Sequence, residues 1–173
     1  MKGQGIAAAG LALALSTAAT PLAAAQLELT TRVSGVVTEV LVRPGQRVKK
    51  GTVLVRLDPA VLKARLDEAV AEHARAEADA ADARRELERA QELFNRGVSS
   101  TSELDVATLR HTRAQAAVAA AAARKTIAAK NLDDAALRAP SDGVVKAVPG
   151  GAGTYVTAEC QPKTLVIFDS AQP

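Results

Sequence analysis

The fold of this protein is indicated by the stretch from Leu62 to Phe94, which reads LKARLDEAVAEHARAEADAADARRELERAQELF. Small or apolar residues recur in it at alternating steps of four and three. This 3.5-residue period is typical of a helix that lies along a partner helix in a coiled coil. Many of these positions hold alanine, which has the highest helix propensity. The predicted seam of this first arm comprises Leu62, Leu66, Ala69, His73, Ala76, Ala80, Ala83, Leu87, Ala90 and Phe94.

A second arm of similar length follows, so the stretch as a whole predicts two antiparallel helices. Between the arms, Gly97 is suited to the left-handed conformation that ends many helices, and Ser100 with Glu103 has the pattern of a capping box. We therefore expect a helical hairpin over residues 59–138, with its tip at residues 95–103 and arms of roughly 45–54 Å. The predicted seam of the second arm is weaker, since His111 and Lys125 interrupt it; its positions are Leu104, Ala107, His111, Ala114, Val118, Ala121, Lys125, Ala128 and Leu132.

The segments before and after the hairpin, residues 26–58 and 139–173, resemble each other. In each, a Gly-Val-Val sequence is followed ten residues later by Gly-x-x-Val, and the segment closes on a hydrophobic strand and an Asp. The glycines that begin these motifs are Gly35, Gly45, Gly143 and Gly153. A repeat that is split by an insertion predicts one small β-sandwich built from two sequence-distant halves. The predicted fold class is therefore α+β, with an antiparallel coiled-coil α-hairpin inserted between the halves.

Residues 1–25 have the pattern of a secretory signal peptide. Lys2 gives a positive start, residues 6–15 form an apolar run too short to span a bilayer, and Ala23-Ala24-Ala25 offers a cleavage site before Gln26. The prediction is export to the periplasm, with the mature chain associated with the cell envelope. A retained membrane anchor is the alternative.

The sequences on both sides of the hairpin resemble those of a known protein family. Residues 35–58, which include Gly35-Val36-Val37, Val48-Lys49-Lys50-Gly51 and Leu57-Asp58, are similar to the first half of a lipoyl/biotinyl-type domain. Residues 139–145, Ala-Pro-Ser-Asp-Gly-Val-Val, look like the start of the second half. With the hairpin between them, the chain is identified as a member of the periplasmic adaptors, or membrane fusion proteins, of HlyD-like and RND-type systems. It resembles a short form that has the lipoyl-like domain and the α-hairpin only.

The resemblance implies a function and partners. Such an adaptor bridges an inner-membrane efflux transporter, of RND or another type, and a TolC-like outer-membrane channel, and it forms a homo-oligomer. Family members that dock on such channels carry an Arg at the tip, a Leu four residues on and a Ser seven further. Arg89, Leu93 and Ser100 have that spacing, so the resemblance implies that these three residues dock on the channel.

The extent of the chain leaves a second function open. The mature chain begins close to the first half of the sandwich and ends just after the second. The β-barrel and membrane-proximal domains, by which family members contact the pump, are therefore not expected. A periplasmic coiled-coil scaffold or interaction protein without direct pump function is the alternative to an adaptor.

Each of the three docking residues also has a purely structural interpretation. Arg89 could pair with Glu86 or remain solvated, and Leu93 could pack on the flank of the second arm. Ser100 could cap the second helix through the capping box with Glu103, a role that is compatible with docking.

No catalytic, cofactor-binding or metal-binding residue is predicted. Lys49 and Lys50 lack the sequence setting of a lipoyl or biotinyl lysine, and His73 and His111 fall on the seams without a Cys or carboxylate cluster nearby. With two Phe, one Tyr and no Trp, the chain offers no stacking platform for nucleic acid. Cys160 is the single cysteine, so no internal disulfide can form; it is expected to be packed or to form an intermolecular bridge. The protein is not expected to be an enzyme.

Overall fold

The elements of the fold follow the predicted order of strands, helical hairpin and further strands. The computed structural model of the chain describes residues 26–159 and 162–170; the predicted signal peptide, residues 1–25, and Cys160 lie outside the described residues. In chain order the elements are β1 (Gln26–Leu29), β2 (Gly35–Val40), β3 (Arg47–Val48), β4 (Val53–Leu57), α1 (Ala60–Asn95), α2 (Thr101–Asp133), β5 (Ala136–Arg138), β6 (Gly143–Ala147), β7 (Tyr155–Val156) and β8 (Val166–Ser170).

The second helix ends earlier than residue 138, where the hairpin was predicted to end. It ends at Asp133, and residues 136–138 form β5, which pairs with β4. Ala136 lies opposite Arg56, and Leu137 lies opposite Val55. After the helix, the chain therefore forms the edge strand of a sheet, and its backbone hydrogen bonds are made with β4.

The strands form two four-stranded sheets. Strands that correspond in the sequence repeat occupy the same position in each sheet. One sheet has the order β1-β8-β6-β3 and the other β5-β4-β2-β7, with antiparallel pairing throughout. In the sequence repeat, β2, β3 and β4 correspond to β6, β7 and β8. Each half therefore lends its two-residue strand to the other half, because β3 pairs with β6 and β7 pairs with β2. The predicted α+β fold, with one sandwich made from two sequence-distant halves, is confirmed.

The core of the β domain draws on both halves. The largest fully buried side chains are Phe168, Leu54, Leu165, Val37, Val55, Val145, Val156 and Val166. Each such side chain stabilises the fold by roughly 1.5–3 kcal/mol relative to an exposed position. Leu62 of α1 belongs to the same cluster, and Leu132 of α2 packs against it. The base of the hairpin is therefore anchored in the core that joins the halves.

Two equivalent glycines of the repeat have different surroundings. A Cβ on Gly143 would lie 2.1 Å from the Asp169 carbonyl oxygen and 2.5 Å from Cζ of Phe168. A Cβ on Gly35 would lie 3.7 Å from Cβ of Leu57, an ordinary contact. Only glycine allows the close approach of β6 to β8 at Gly143.

Candidate functional site at the hairpin tip

Two ion pairs between the helices define how the hairpin is paired. The Glu86 carboxylate accepts from the Arg110 guanidinium at 2.6 Å, and Glu72 pairs with Arg124. Moving two heptads along α1 from Glu72 to Glu86 moves two heptads back along α2, so the helices are antiparallel. Both pairs lie on one flank of the seam, and together they fix the register.

The seam that the sequence predicts is largely the buried side of each helix. On α1, every predicted seam residue is buried or half-buried except Phe94, which is 39% exposed beside the tip. On α2, Lys125 is exposed although it holds a seam position, and Ala122 is half-buried instead. A lysine ammonium is costly to bury without a partner. The helix therefore turns an alanine toward the seam at this level.

The turn at the tip is built as predicted. Gly97 has a φ of 73° and ends α1. The Gly97 N–H donates to the Phe94 carbonyl (2.9 Å), and the Val98 N–H donates to the Leu93 carbonyl (3.0 Å), which is the Schellman arrangement. Ser100 then caps α2, and the predicted capping box with Glu103 is present.

Two of the three predicted docking residues, Arg89 and Leu93, lie in the last turns of α1. The third, Ser100, is the N-cap residue of α2. Arg89 is exposed and forms no ion pair among the described residues, since Glu86 pairs with Arg110. Leu93 lies one helical turn beyond Arg89 and is 38% exposed. Ser100 lies across the turn from Leu93, with its hydroxyl accepting from the Glu103 N–H at 3.3 Å. The turn thus brings Leu93 and Ser100 to one end of the hairpin, and Arg89 lies about 6 Å below Leu93 along the helix.

Further apolar side chains are exposed at the same end, and the sequence arguments did not single them out. Val98 in the turn is 74% exposed, and Val106 and Leu109 on α2 are exposed as well. The signal that could have found Val106 and Leu109 is the one that marked Leu93, a large apolar residue off the seam and close to the tip. Val98 has no such signal, because the turn has no periodicity. We call Arg89, Leu93, Val98, Ser100, Val106 and Leu109 the tip surface.

Two acidic groups at the tip, Glu92 and Glu103, are engaged by local donors. Hydrogen bonds lower the pKa of the Glu103 carboxyl; the largest contribution comes from the Ser99 hydroxyl, and the next from the Ser100 N–H at 3.0 Å. Glu92 pairs with Arg96 one turn away. The guanidinium of Arg89 and the side chain of Leu93 remain available to a partner.

The exposed side chains of the tip surface lie at the opposite end of the hairpin from two concavities. These concavities, of about 370 and 520 Å³, both lie at the base of the hairpin. Within residues 26–159 and 162–170, no cluster of three His, Cys, Asp or Glu side chains is placed to hold a metal ion. Across the same residues, neither helix has the length and apolar composition to cross a bilayer. What the tip offers is a group of exposed apolar side chains beside a cation.

A family model described as "RND MFP, barrel-sandwich hybrid domain" matches residues 25–168 of the chain. The match includes the β domain and the whole hairpin. A search among curated proteins finds no significant match.

Solved structures share the fold. The membrane fusion protein Spr0693 from Streptococcus pneumoniae R6 is 23% identical with a TM-score of 0.60; the match covers 79% of this chain and 55% of that one. ZneB from Cupriavidus metallidurans is 22% identical with a TM-score of 0.60, over 84% of this chain and 61% of that one. A Bacteroides eggerthii protein is 24% identical with a TM-score of 0.51, over 87% and 41%. The chain thus spans between about two fifths and three fifths of the length of these structures.

Proposed function

The chain belongs to the RND membrane fusion protein family, and from this premise we propose that it is a periplasmic adaptor of a tripartite efflux or secretion system. In this proposal the hairpin tip docks on a TolC-like outer-membrane channel, and the β domain lies toward an inner-membrane efflux transporter of RND type. The protein works in the cell envelope and holds membrane proteins together without a catalytic step.

The observation that carries the proposal is the exposure of Leu93 at the end of a long stalk. Leu93 lies about 50 Å along α1 from the β domain, at 1.5 Å per residue. Leu93 is 38% exposed, and burying that exposed part in a partner contributes a fraction of the roughly 1.5–3 kcal/mol that full burial of a leucine contributes. A stalk that presents an apolar side chain at its far end is suited to contact a distant partner.

Arg89 and Ser100 complete the contact that we propose. Arg89 has a guanidinium with five N–H donors and no ion pair among the described residues, so it can bind carbonyl or carboxylate oxygens of the channel. Ser100 orders the turn through its cap. Its hydroxyl proton remains available, since the Ser100 oxygen accepts from the Glu103 N–H.

We further propose that the adaptor acts as a homo-oligomer with hairpins side by side. One flank of the seam carries both cross-hairpin ion pairs. On the opposite flank, α2 presents a row of uncharged residues at heptad spacing: Thr108, Gln115, Ala122 and Ala129. A flank without charge on one helix favours lateral packing between copies. Analytical ultracentrifugation of the exported chain tests this proposal, and a monomer at all concentrations would contradict it.

Replacement of Leu93 by Asp tests the docking proposal. Burying a carboxylate in an apolar contact is costly, so we expect Leu93→Asp to weaken association with the channel by about 30-fold, as for loss of a hot-spot residue worth roughly 2 kcal/mol. The measurement is photocrosslinking from position 98, which is 74% exposed in the turn, in intact envelopes, with identification of the captured protein, together with export of a toxic compound.

Ile127→Asp is the matched control, because Ile127 is 61% exposed, lies far from the tip and is on the side of the hairpin that carries the Arg124 ion pair. It should leave channel association and export unchanged, and both variants should keep the thermal unfolding of the unmodified chain. Equal association for Leu93→Asp and Ile127→Asp would refute tip docking. A crosslink to a partner with no effect on compound tolerance would favour the scaffold function instead.

Ser100 is tested by a substitution that keeps its cap. Asparagine is as good an N-cap residue as serine, so Ser100→Asn should preserve α2 and still weaken channel association if the hydroxyl makes the contact. Ser100→Ala should weaken both. Full association for Ser100→Asn would limit Ser100 to capping.

A further inference from the structure

The β domain has an end that faces away from the hairpin. α1 follows the carboxyl end of β4, and β2 runs antiparallel to β4. The carboxyl end of β2 and the amino end of β4 therefore lie opposite to the hairpin. We call this the far end and define it as residues 41–52 and 138–142, which are joined by a hydrogen bond from the Gly51 N–H to the Ala139 carbonyl (2.8 Å).

Five exposed cations lie at the far end: Arg43, Arg47, Lys49, Lys50 and Arg138. Among the described residues, none of them has a carboxylate within 4.0 Å. The guanidinium of Arg138 donates to the Gly51 carbonyl at 3.3 Å. The acid of this end, Asp142, accepts from the backbone N–H of Lys50 at 2.7 Å. The far end therefore carries a net positive charge, because its five cations outnumber its one acid.

The fold does not require these cations, as the equivalent loop of the second half shows. The first half reads Gly-Gln-Arg-Val-Lys-Lys from Gly45, and the second reads Gly-Thr-Tyr-Val-Thr-Ala from Gly153. Both glycines have positive φ, 84° and 83°, and both valines, Val48 and Val156, are buried. The same turn is thus built without Arg47 and its neighbouring lysines, so the backbone conformation of the turn does not require the positive charge.

An apolar side chain accompanies the cations. Leu41 directly follows β2, donates its N–H to the Leu54 carbonyl (2.9 Å), and is 44% exposed at the far end. A cluster of Lys and Arg beside a protruding leucine matches the surface of an anionic bilayer, where cations meet phosphates and the leucine enters the headgroup region.

The exposed leucine favours a bilayer over an acidic protein surface. Charge alone would suit either partner, but the interface of a bilayer also buries an apolar side chain that lies among cations.

We propose that the far end docks on the headgroups of an anionic phospholipid bilayer, with the hairpin directed away from the membrane. The contact orients the adaptor independently of any transporter. It stands on charge and placement in the β domain and does not depend on the tip, so channel docking can succeed or fail separately.

Binding to vesicles tests this surface. The exported chain, with its N-terminal residue established by mass spectrometry, is mixed with vesicles of equal parts phosphatidylglycerol and phosphatidylethanolamine, or of phosphatidylcholine alone, and sedimented. We expect binding to the anionic vesicles that falls as salt is raised, because salt screens exposed charges. The triple variant Arg47→Gln, Lys49→Thr, Lys50→Ala should bind about 100-fold more weakly, at roughly fivefold per cation.

The matched control removes three exposed cations from the hairpin by Lys63→Gln, Arg113→Gln and Lys125→Gln. It changes the net charge equally and should bind vesicles as the unmodified chain does. Circular dichroism and thermal unfolding establish that both variants are folded. Absence of binding to anionic vesicles would overturn the proposal, even if the chain bound an acidic protein. Equal binding to phosphatidylcholine, or equal loss in the two triple variants, would also overturn it.

Discussion

The β domain and the hairpin are stabilised in different ways. In the β domain, large side chains from both halves are fully buried, among them Phe168, Leu54 and Leu165. In the hairpin, nine of the 19 seam residues are alanines, and buried positions such as Ala83 and Ala121 lie among half-buried ones. Burial of large side chains stabilises the first region, whereas helix propensity, close packing and two cross-hairpin ion pairs stabilise the second. We therefore expect substitutions on the hairpin surface to have little effect on the stability of the β domain.

Gly143→Ala should have the largest effect of any substitution considered. Its Cβ would meet the Asp169 carbonyl oxygen at 2.1 Å, and a backbone atom in a paired strand cannot move aside cheaply. We expect a loss of about 3 kcal/mol or more in the free energy of unfolding, measured by chemical denaturation. Gly35→Ala is the control from the other half, and it should cost less than about 1 kcal/mol. Similar costs for the two variants would show that the halves are more alike than the contacts indicate.

Ala83→Leu should have an intermediate effect that is confined to the hairpin. Ala83 is buried against α2, and extra methylenes there push the helices apart at a cost of about 1–3 kcal/mol. Ala81→Leu, on the exposed side of the same helix, should cost less than about 0.5 kcal/mol. The measurement is amide hydrogen exchange. Amide protection should fall in α1 and α2 and should not change in β8. An equal loss of protection in β8 would show that the hairpin and the β domain unfold as one unit.

Much of the fold could be predicted from the sequence because two patterns are long. The seam repeats over ten positions of α1, and the glycine motifs occur twice at the same spacing. The exchange of β3 and β7 between the halves could not be predicted, since each strand is two residues long and its partner is chosen by the tertiary fold. The interruption of the seam at Lys125 was expected, but the half-burial of Ala122 at that level was not. A heptad count ignores the cost of burying an ammonium, and the seam adjusts to avoid that cost.

The candidate site was predictable only in part. The cap at Ser100 and the left-handed Gly97 follow from local chemistry, and both are present. The docking role of Arg89, Leu93 and Ser100 stays a prediction, because docking depends on a second protein. The far end was not recognised in the sequence. Its cations come from separate turns, and only the strand register places Arg138 beside the loop that holds Lys50.

The smallest effect that we predict is a pH response confined to the tip. The Ser99 hydroxyl and the Ser100 N–H lower the pKa of the Glu103 carboxyl below its usual 4.5. For a carboxyl whose pKa is lowered by folding, the stabilisation is complete above the unfolded-state pKa and is lost as the pH falls through the folded-state pKa. The Ser100 amide should therefore be less protected from hydrogen exchange, corrected for its intrinsic rate, below about pH 4.5.

Glu103→Gln keeps a neutral acceptor at the N3 position of the capping box, so protection of the Ser100 amide in this variant should not vary over this range. Amides of β8 serve as the internal control and should not change. An identical pH profile for the two chains would show that Glu103 does not hold the turn through its charge, and the tip would then be ordered by the Gly97 turn and the Ser100 hydroxyl alone.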